Sequence, residues 1–181
     1  MFKEISIFLI NGICIFFGSV LLLRAWLISI RFPVYHVLSQ GIFHVTDWLI
    51  LPLLRFIPNK GSIEGASLFS GWFAAFLNLF LLRLSSGISF TEIFPSIFIF
   101  SFLLVFKWAI NLLVCATLLQ SILSWTSPQS PAMSVLYQLT APFLDPVRKK
   151  IPKTHGLDLS PLVLLVIAQI LFIIIKHLSI V

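Results

Sequence analysis

The chain has 181 residues, 59% of them drawn from the set AVILMFWYC and 10% charged, against roughly a quarter charged in an ordinary soluble domain. Twelve basic and six acidic residues cannot cover such a chain in water, so a soluble globular fold is excluded and most of the outer surface must meet lipid. The net charge of +6 is scattered between apolar runs, which argues against direct nucleic-acid binding and for anionic headgroups as the partner.

Lys3 followed by an apolar stretch imitates a secretory signal, but the stretch continues from Ile5 to Leu23 and past Arg24 to Ile30. It is too long for a signal core and lacks a small-x-small cleavage site, so it predicts a retained transmembrane helix. The following loop predicts short interfacial pieces over Val37 to Trp48 and Pro52 to Pro58. Ala66 to Leu82 is a second span, with Arg83 placed to snorkel at its end. Ile93 to Leu104 is apolar but too short to cross alone, and it runs on across Lys107 into a third span, Leu103 to Trp125. Ser89 and Glu92 have capping-box spacing, so one long helix starting near Phe90 and lying partly in the interface fits.

Ser130 and Pro131 can start a helix in which Ala132, Val135, Leu136 and Leu139 recur at helical spacing, with Ser134, Gln138 and Thr140 on other faces. It should lie flat on the membrane surface. Pro142 is expected to stop it, and Asp145 to cap a further turn led by Pro146. That turn carries Arg148, Lys149 and Lys150 before Pro152 ends it. Pro161 after a capping Ser160 opens the last span, Leu162 to Ile175, which can continue to Val181 with Lys176 and His177 snorkelling. The count is four spans, with five as the rival.

Sliding the chain by 94 positions brings Thr46 onto Thr140, Pro52 onto Pro146, Arg55 onto Lys149, Pro58 onto Pro152 and Glu64 onto Asp158. A two-residue slip upstream sets Arg24 opposite Gln120. This predicts an all-α membrane protein of two tandem repeats, each a transmembrane helix, an interfacial helical loop and a return helix. The expected division is a first repeat over 1–86, an apolar linker or re-entrant segment over 87–104, and a second repeat over 105–181. Four spans would put both loops on one face, with Arg31, Arg55, Lys60, Arg148, Lys149, Lys150 and Lys153, against Lys3, Arg83 and Lys176 on the other. The positive-inside rule then makes the loops cytoplasmic, with the chain multi-pass in a bacterial inner membrane.

Every span carries an amide: Asn11, Asn78, Asn111 with Gln120, and Gln169. Such groups either line a polar path or hydrogen-bond between helices at ~0.6 to 2 kcal/mol each. Arg24 and Lys107 are the costly intramembrane bases; both lie near span ends and can snorkel, whereas an inward-pointing Arg24 would find Glu64 or Asp158. Those carboxylates precede the return helices and suit the helix dipole there. His44 and Asp47 stand three apart, but their equivalents are Gln138 and Ala141, so no duplicated metal site exists and no metal or cofactor is expected. Cys14 and Cys115 sit in apolar runs without ligand spacing. The bases Arg55, Arg148, Lys149, Lys150 and Lys153 are the candidate lipid- or partner-binding residues, at ~1 kcal/mol per base near an anionic surface.

The segments ILSWTSPQSP, LYQLTAPFLDPVRKKIP and GLDLSP resemble the YggT family of small integral membrane proteins, which includes YlmG relatives of Gram-positive bacteria and plastids. Ser124, Trp125, Pro131, Thr140, Pro142, Pro146, Arg148, Pro152, Gly156, Asp158, Ser160 and Pro161 match its pattern, and in the first half Arg24, Gln40, Thr46, Pro52, Arg55 and Pro58 do so. The first half departs at Trp48 and Leu54, where the second has Pro142 and Arg148; Gln120 stands where an arginine is frequent. The resemblance implies association with osmotic-shock tolerance and cation uptake, with cell-division gene neighbourhoods and, in plastids, with nucleoid distribution and cytochrome assembly. It implies no reaction. With no nucleophile, base and orienting group converging, the expectation is a non-enzymatic membrane organiser or assembly factor. Its partners would be anionic lipids and other membrane proteins, a second copy among the candidates; the alternative is a component of cation transport.

Overall fold

The structure, a computed structural model, describes residues 2–33, 35–55, 57, 64–85, 90–150 and 159–178, with backbone alone at 2–3 and 90–95. Those residues form six helices: α1 Phe2–Ser29, α2 Val37–Leu54, α3 Gly65–Ser85, α4 Phe90–Thr126, α5 Pro131–Lys150 and α6 Ser160–Leu178. All but α5 are long and apolar enough to cross a membrane. The chain divides into two compact units, 1–109 and 110–181, and the division falls inside α4.

In the first unit α1 and α3 pack along each other. Arg24 meets Glu64, Leu22 lies against Gly71, and Asn11 bonds Asn78, so rising numbers on one helix meet falling numbers on the other. The pair is antiparallel. Small residues on α3 make the approach possible: Ser67, Gly71, Ala75 and the buried Asn78 fall on one face at helical spacing, the close-packing pattern of membrane helices. A Cβ on Gly71 would stand 3.3 Å from a Leu22 methyl. Where α1 approaches α4, Gly18 provides the room: a Cβ there would overlap the indole of Trp108.

The antiparallel pairing bears on the course of α2. If α1 and α3 cross the membrane in opposite directions, the segment joining them starts and ends on one side, although α2 is itself long and apolar enough to span. The middle of α2 lies against the last turns of α1, where Thr46 and Asp47 bond Arg24. The α1 helix ends in a Schellman motif, with Phe32 N–H donating to Leu27 O at 2.9 Å and Arg31 N–H to Ile28 O at 3.0 Å. Arg31 takes the left-handed conformation this cap requires, at φ 54°. Phe32 and Leu27, at the two positions such a cap brings together, are both buried. His36 then caps α2 through its Nδ1, which accepts from Leu38 N–H at 3.2 Å.

An aromatic seam joins α3 to the first part of α4: the Trp72 ring lies 6.0 Å from Phe98 and 5.6 Å from Phe102, and Phe76 lies 5.4 Å from Phe98. The described part of the expected linker or re-entrant segment 87–104, residues 90–104, is helical and continuous with α4, which starts at Phe90 as the capping-box spacing predicts. At 37 residues and about 1.5 Å per residue, α4 exceeds the length a bilayer core needs.

Two breaks expected at prolines do not occur. α2 runs through Pro52, and α5 runs through Pro142 and Pro146 to Lys150. A proline removes one intrahelical hydrogen bond and crowds the preceding turn, which bends a helix without ending it where side-chain packing holds both flanks. Here Leu139, Thr140 and Leu144 are buried on either side of Pro142. In the second unit α5 packs against α6, whose buried residues Ser160, Leu164 and Ala168 repeat every fourth position.

Candidate functional site

The most elaborate polar arrangement among the described residues surrounds Arg24. Its side chain is buried, and it does not snorkel. Nε donates to Glu64 Oε2 at 2.8 Å and an Nη to Glu64 Oε1 at 3.2 Å, a two-pronged grip on the carboxylate. The other Nη donates to Thr46 Oγ1 at 2.7 Å and to Asp47 Oδ1 at 2.6 Å. Phe43 places its ring 4.7 Å from the guanidinium carbon. Thr46 in turn donates to Ile42 O at 2.7 Å, and the Ser67 hydroxyl donates to Glu64 Oε2.

One arginine therefore ties three elements: the last turns of α1, the middle of α2 and the residue just ahead of α3. The snorkelling expectation fails because water is not the nearest partner. Two carboxylates and a hydroxyl lie within reach, and a buried charge is tolerated where it is paired and hydrogen-bonded. Sequence reasoning named Glu64 as an inward partner. It brings in Asp47 only as a metal ligand beside His44, and it does not reach Ser67 or Phe43. The spacing of Phe43, Thr46 and Asp47 on one face of α2 is the signal that could have found them.

The second unit has a neutral counterpart. Thr140, expected on a face other than the apolar one, is buried; its hydroxyl hydrogen-bonds Gln120 Oε1 and lies 2.9 Å from Leu136 O. Gln120 is likewise buried. Arg24 bonds Thr46 in one unit as Gln120 bonds Thr140 in the other, at the positions the shifted alignment sets opposite each other.

The remaining candidates separate by exposure. Asn78 is buried and its Nδ2 donates to Asn11 Oδ1 at 3.2 Å, joining α3 to α1. Lys107 is half-buried, whereas Asn111 and Gln169 are exposed on α4 and α6. Trp125, Pro52, Pro142 and Pro146 are exposed, Pro161 is half-buried and Ser160 is buried at the start of α6. Arg55 is exposed beyond the end of α2. At the end of α5, Arg148 pairs with Asp145 at 3.3 Å and lies 5.0 Å from the Tyr137 ring, leaving Lys149 and Lys150 exposed. Lys153, Pro58, Pro152 and Asp158 lie outside the described residues. Among the described residues no three His, Cys, Asp or Glu side chains are grouped to hold a metal.

Comparison with known proteins bears on these features. The chain is 32% identical over 165 residues to Uncharacterized protein YggT of Escherichia coli strain K12, an alignment covering 91% of this chain and 85% of that protein. It is 36% identical over 163 residues to a Vibrio alginolyticus protein described as lying in the proC 3′ region, covering 88% and 86% of the two chains. A Pseudomonas aeruginosa protein is 30% identical over 159 residues. No solved structure matches. The CCB3/YggT family matches residues 98–179, the stretch holding Gln120, Thr140 and the basic end of α5, and with relatives aligned over most of their length the chain belongs to the YggT family.

Proposed function

We propose that this protein is a non-enzymatic organiser of the bacterial inner membrane, built from two repeated hairpins. Its loop helices α2 and α5 rest on the cytoplasmic leaflet and present basic residues to anionic lipid and partner proteins. The observation that carries the reading is the Arg24 clamp. It fixes the middle of α2 to the ends of both neighbouring helices, so this loop is a rigid surface and not a tether. α5 adds the charge: Lys149 and Lys150 are exposed, Arg148 is half-buried beside Asp145, and each base near an anionic surface contributes ~1 kcal/mol. The polar groups around Arg24 are satisfied by one another and Asn78 bonds Asn11, which suits a fixed scaffold better than a path for ions.

The test compares wild type with a variant carrying Arg148→Glu, Lys149→Glu and Lys150→Glu. The organiser reading predicts a membrane partner that co-purifies with wild type and is lost with the variant, and no ion flux in proteoliposomes. Cation flux that disappears on Asn78→Leu would overturn it in favour of a role in cation transport and osmotic tolerance.

A further inference from the structure

In the first unit Asn78 bonds Asn11, but Asn111 does not follow that pattern. It sits at the middle of the 31-residue apolar stretch Ser96–Thr126, its side chain is exposed, and among the described residues nothing hydrogen-bonds it. At that depth no water is at hand, and an amide facing acyl chains leaves two donors and an acceptor unsatisfied. Down the same face the exposed residues recur as Asn111, Cys115, Leu118, Ile122 and Trp125. Steps of four, three, four and three are the seam spacing of two helices packed at a shallow angle.

We propose that two copies of this chain associate in the membrane along this face of α4, with the Asn111 amides of the two copies hydrogen-bonded to each other. Copies inserted the same way up are related by a two-fold axis along the membrane normal, so their α4 helices run parallel and each seam residue meets its own counterpart. An amide suits that symmetry because it donates and accepts at once: each Nδ2–H donates to the other Oδ1, a self-complementary pair no charged residue could form. Cys115, one turn away, is small enough for the backbones to approach. The other exposed mid-span amide, Gln169 on α6, is flanked at the corresponding positions by the bulkier Val166 and Ile173, so it serves as the control.

With two cysteines in the chain, Cys14→Ser leaves Cys115 alone. Oxidation of that variant in native membranes should give a disulfide-linked homodimer. In proteoliposomes diluted stepwise with lipid, Asn111→Leu should weaken dimer formation roughly five- to thirty-fold, Asn111→Gln should retain most of it, and Gln169→Leu should leave it unchanged. Far-UV helicity and monomer yield of each variant separate lost pairing from lost folding. A Cys115 that forms no homodimer, links only to a protein of different mass, or pairs equally well after Asn111→Leu would overturn the proposal. Loss of pairing on Gln169→Leu alone would do the same.

Discussion

At the scale of the residue, Arg24 governs the first unit. Removing one member of a buried pair leaves the other charge uncompensated, so Arg24→Leu should lower stability by about 3–5 kcal/mol, measured by denaturant titration in micelles. Adding Glu64→Leu should recover much of that loss, since paired apolar replacements are far less costly than single ones. Arg24→Lys should behave closer to Arg24→Leu than to wild type, because an ammonium cannot grip Glu64 with two prongs while also reaching Thr46 and Asp47. In the second unit Thr140→Val leaves the buried Gln120 carbonyl without a donor, an expected loss of about 1–3 kcal/mol in the same assay. Arg31 offers the opposite sign. It holds a left-handed conformation at the end of α1, so Arg31→Gly should stabilise the protein by about 1 kcal/mol.

At the scale of the element, close approach depends on two glycines. Gly18→Leu must displace Trp108, and Gly71→Leu must push Leu22 away from α3; each should cost about 1–3 kcal/mol as overpacking and show as a lower melting temperature. The apolar blocks of α1, α3, α4 and α6 were legible from sequence because lipid imposes a length and a composition on any helix that crosses it. The course of α5 through Pro142 was not, because a proline's local penalty is visible in sequence while the burial of Leu139, Thr140 and Leu144 around it is not. The burial of Arg24 is hidden from sequence for the same kind of reason. Snorkelling is a property of one side chain, whereas its burial depends on Asp47 and Glu64 arriving from two other elements. The loop reading of Val37 to Trp48 is available from sequence, but the bonds from Thr46 and Asp47 that set the middle of α2 against the end of α1 are not, and by length and hydropathy α2 also qualifies as a span.

At the scale of the whole molecule, the proposed function rests on one topological claim: α2 and α5 face the same leaflet, with the basic ends of both loops on the cytoplasmic side. The antiparallel α1 and α3 bring both ends of α2 to one side, and the claim extends this plan to the second hairpin. The proposed side of the loops rests on their excess of lysine and arginine. The direct measurement is cysteine accessibility in a chain stripped of Cys14 and Cys115, with single cysteines at Gly41 on α2, at Ser134 on α5 and at Ser85 at the end of α3. Gly41 has open space about it and Ser134 is exposed. With a membrane-impermeant maleimide, Gly41→Cys and Ser134→Cys should label from the cytoplasmic side and Ser85→Cys from the opposite side. Labelling of the α2 and α5 positions from opposite sides would contradict the account.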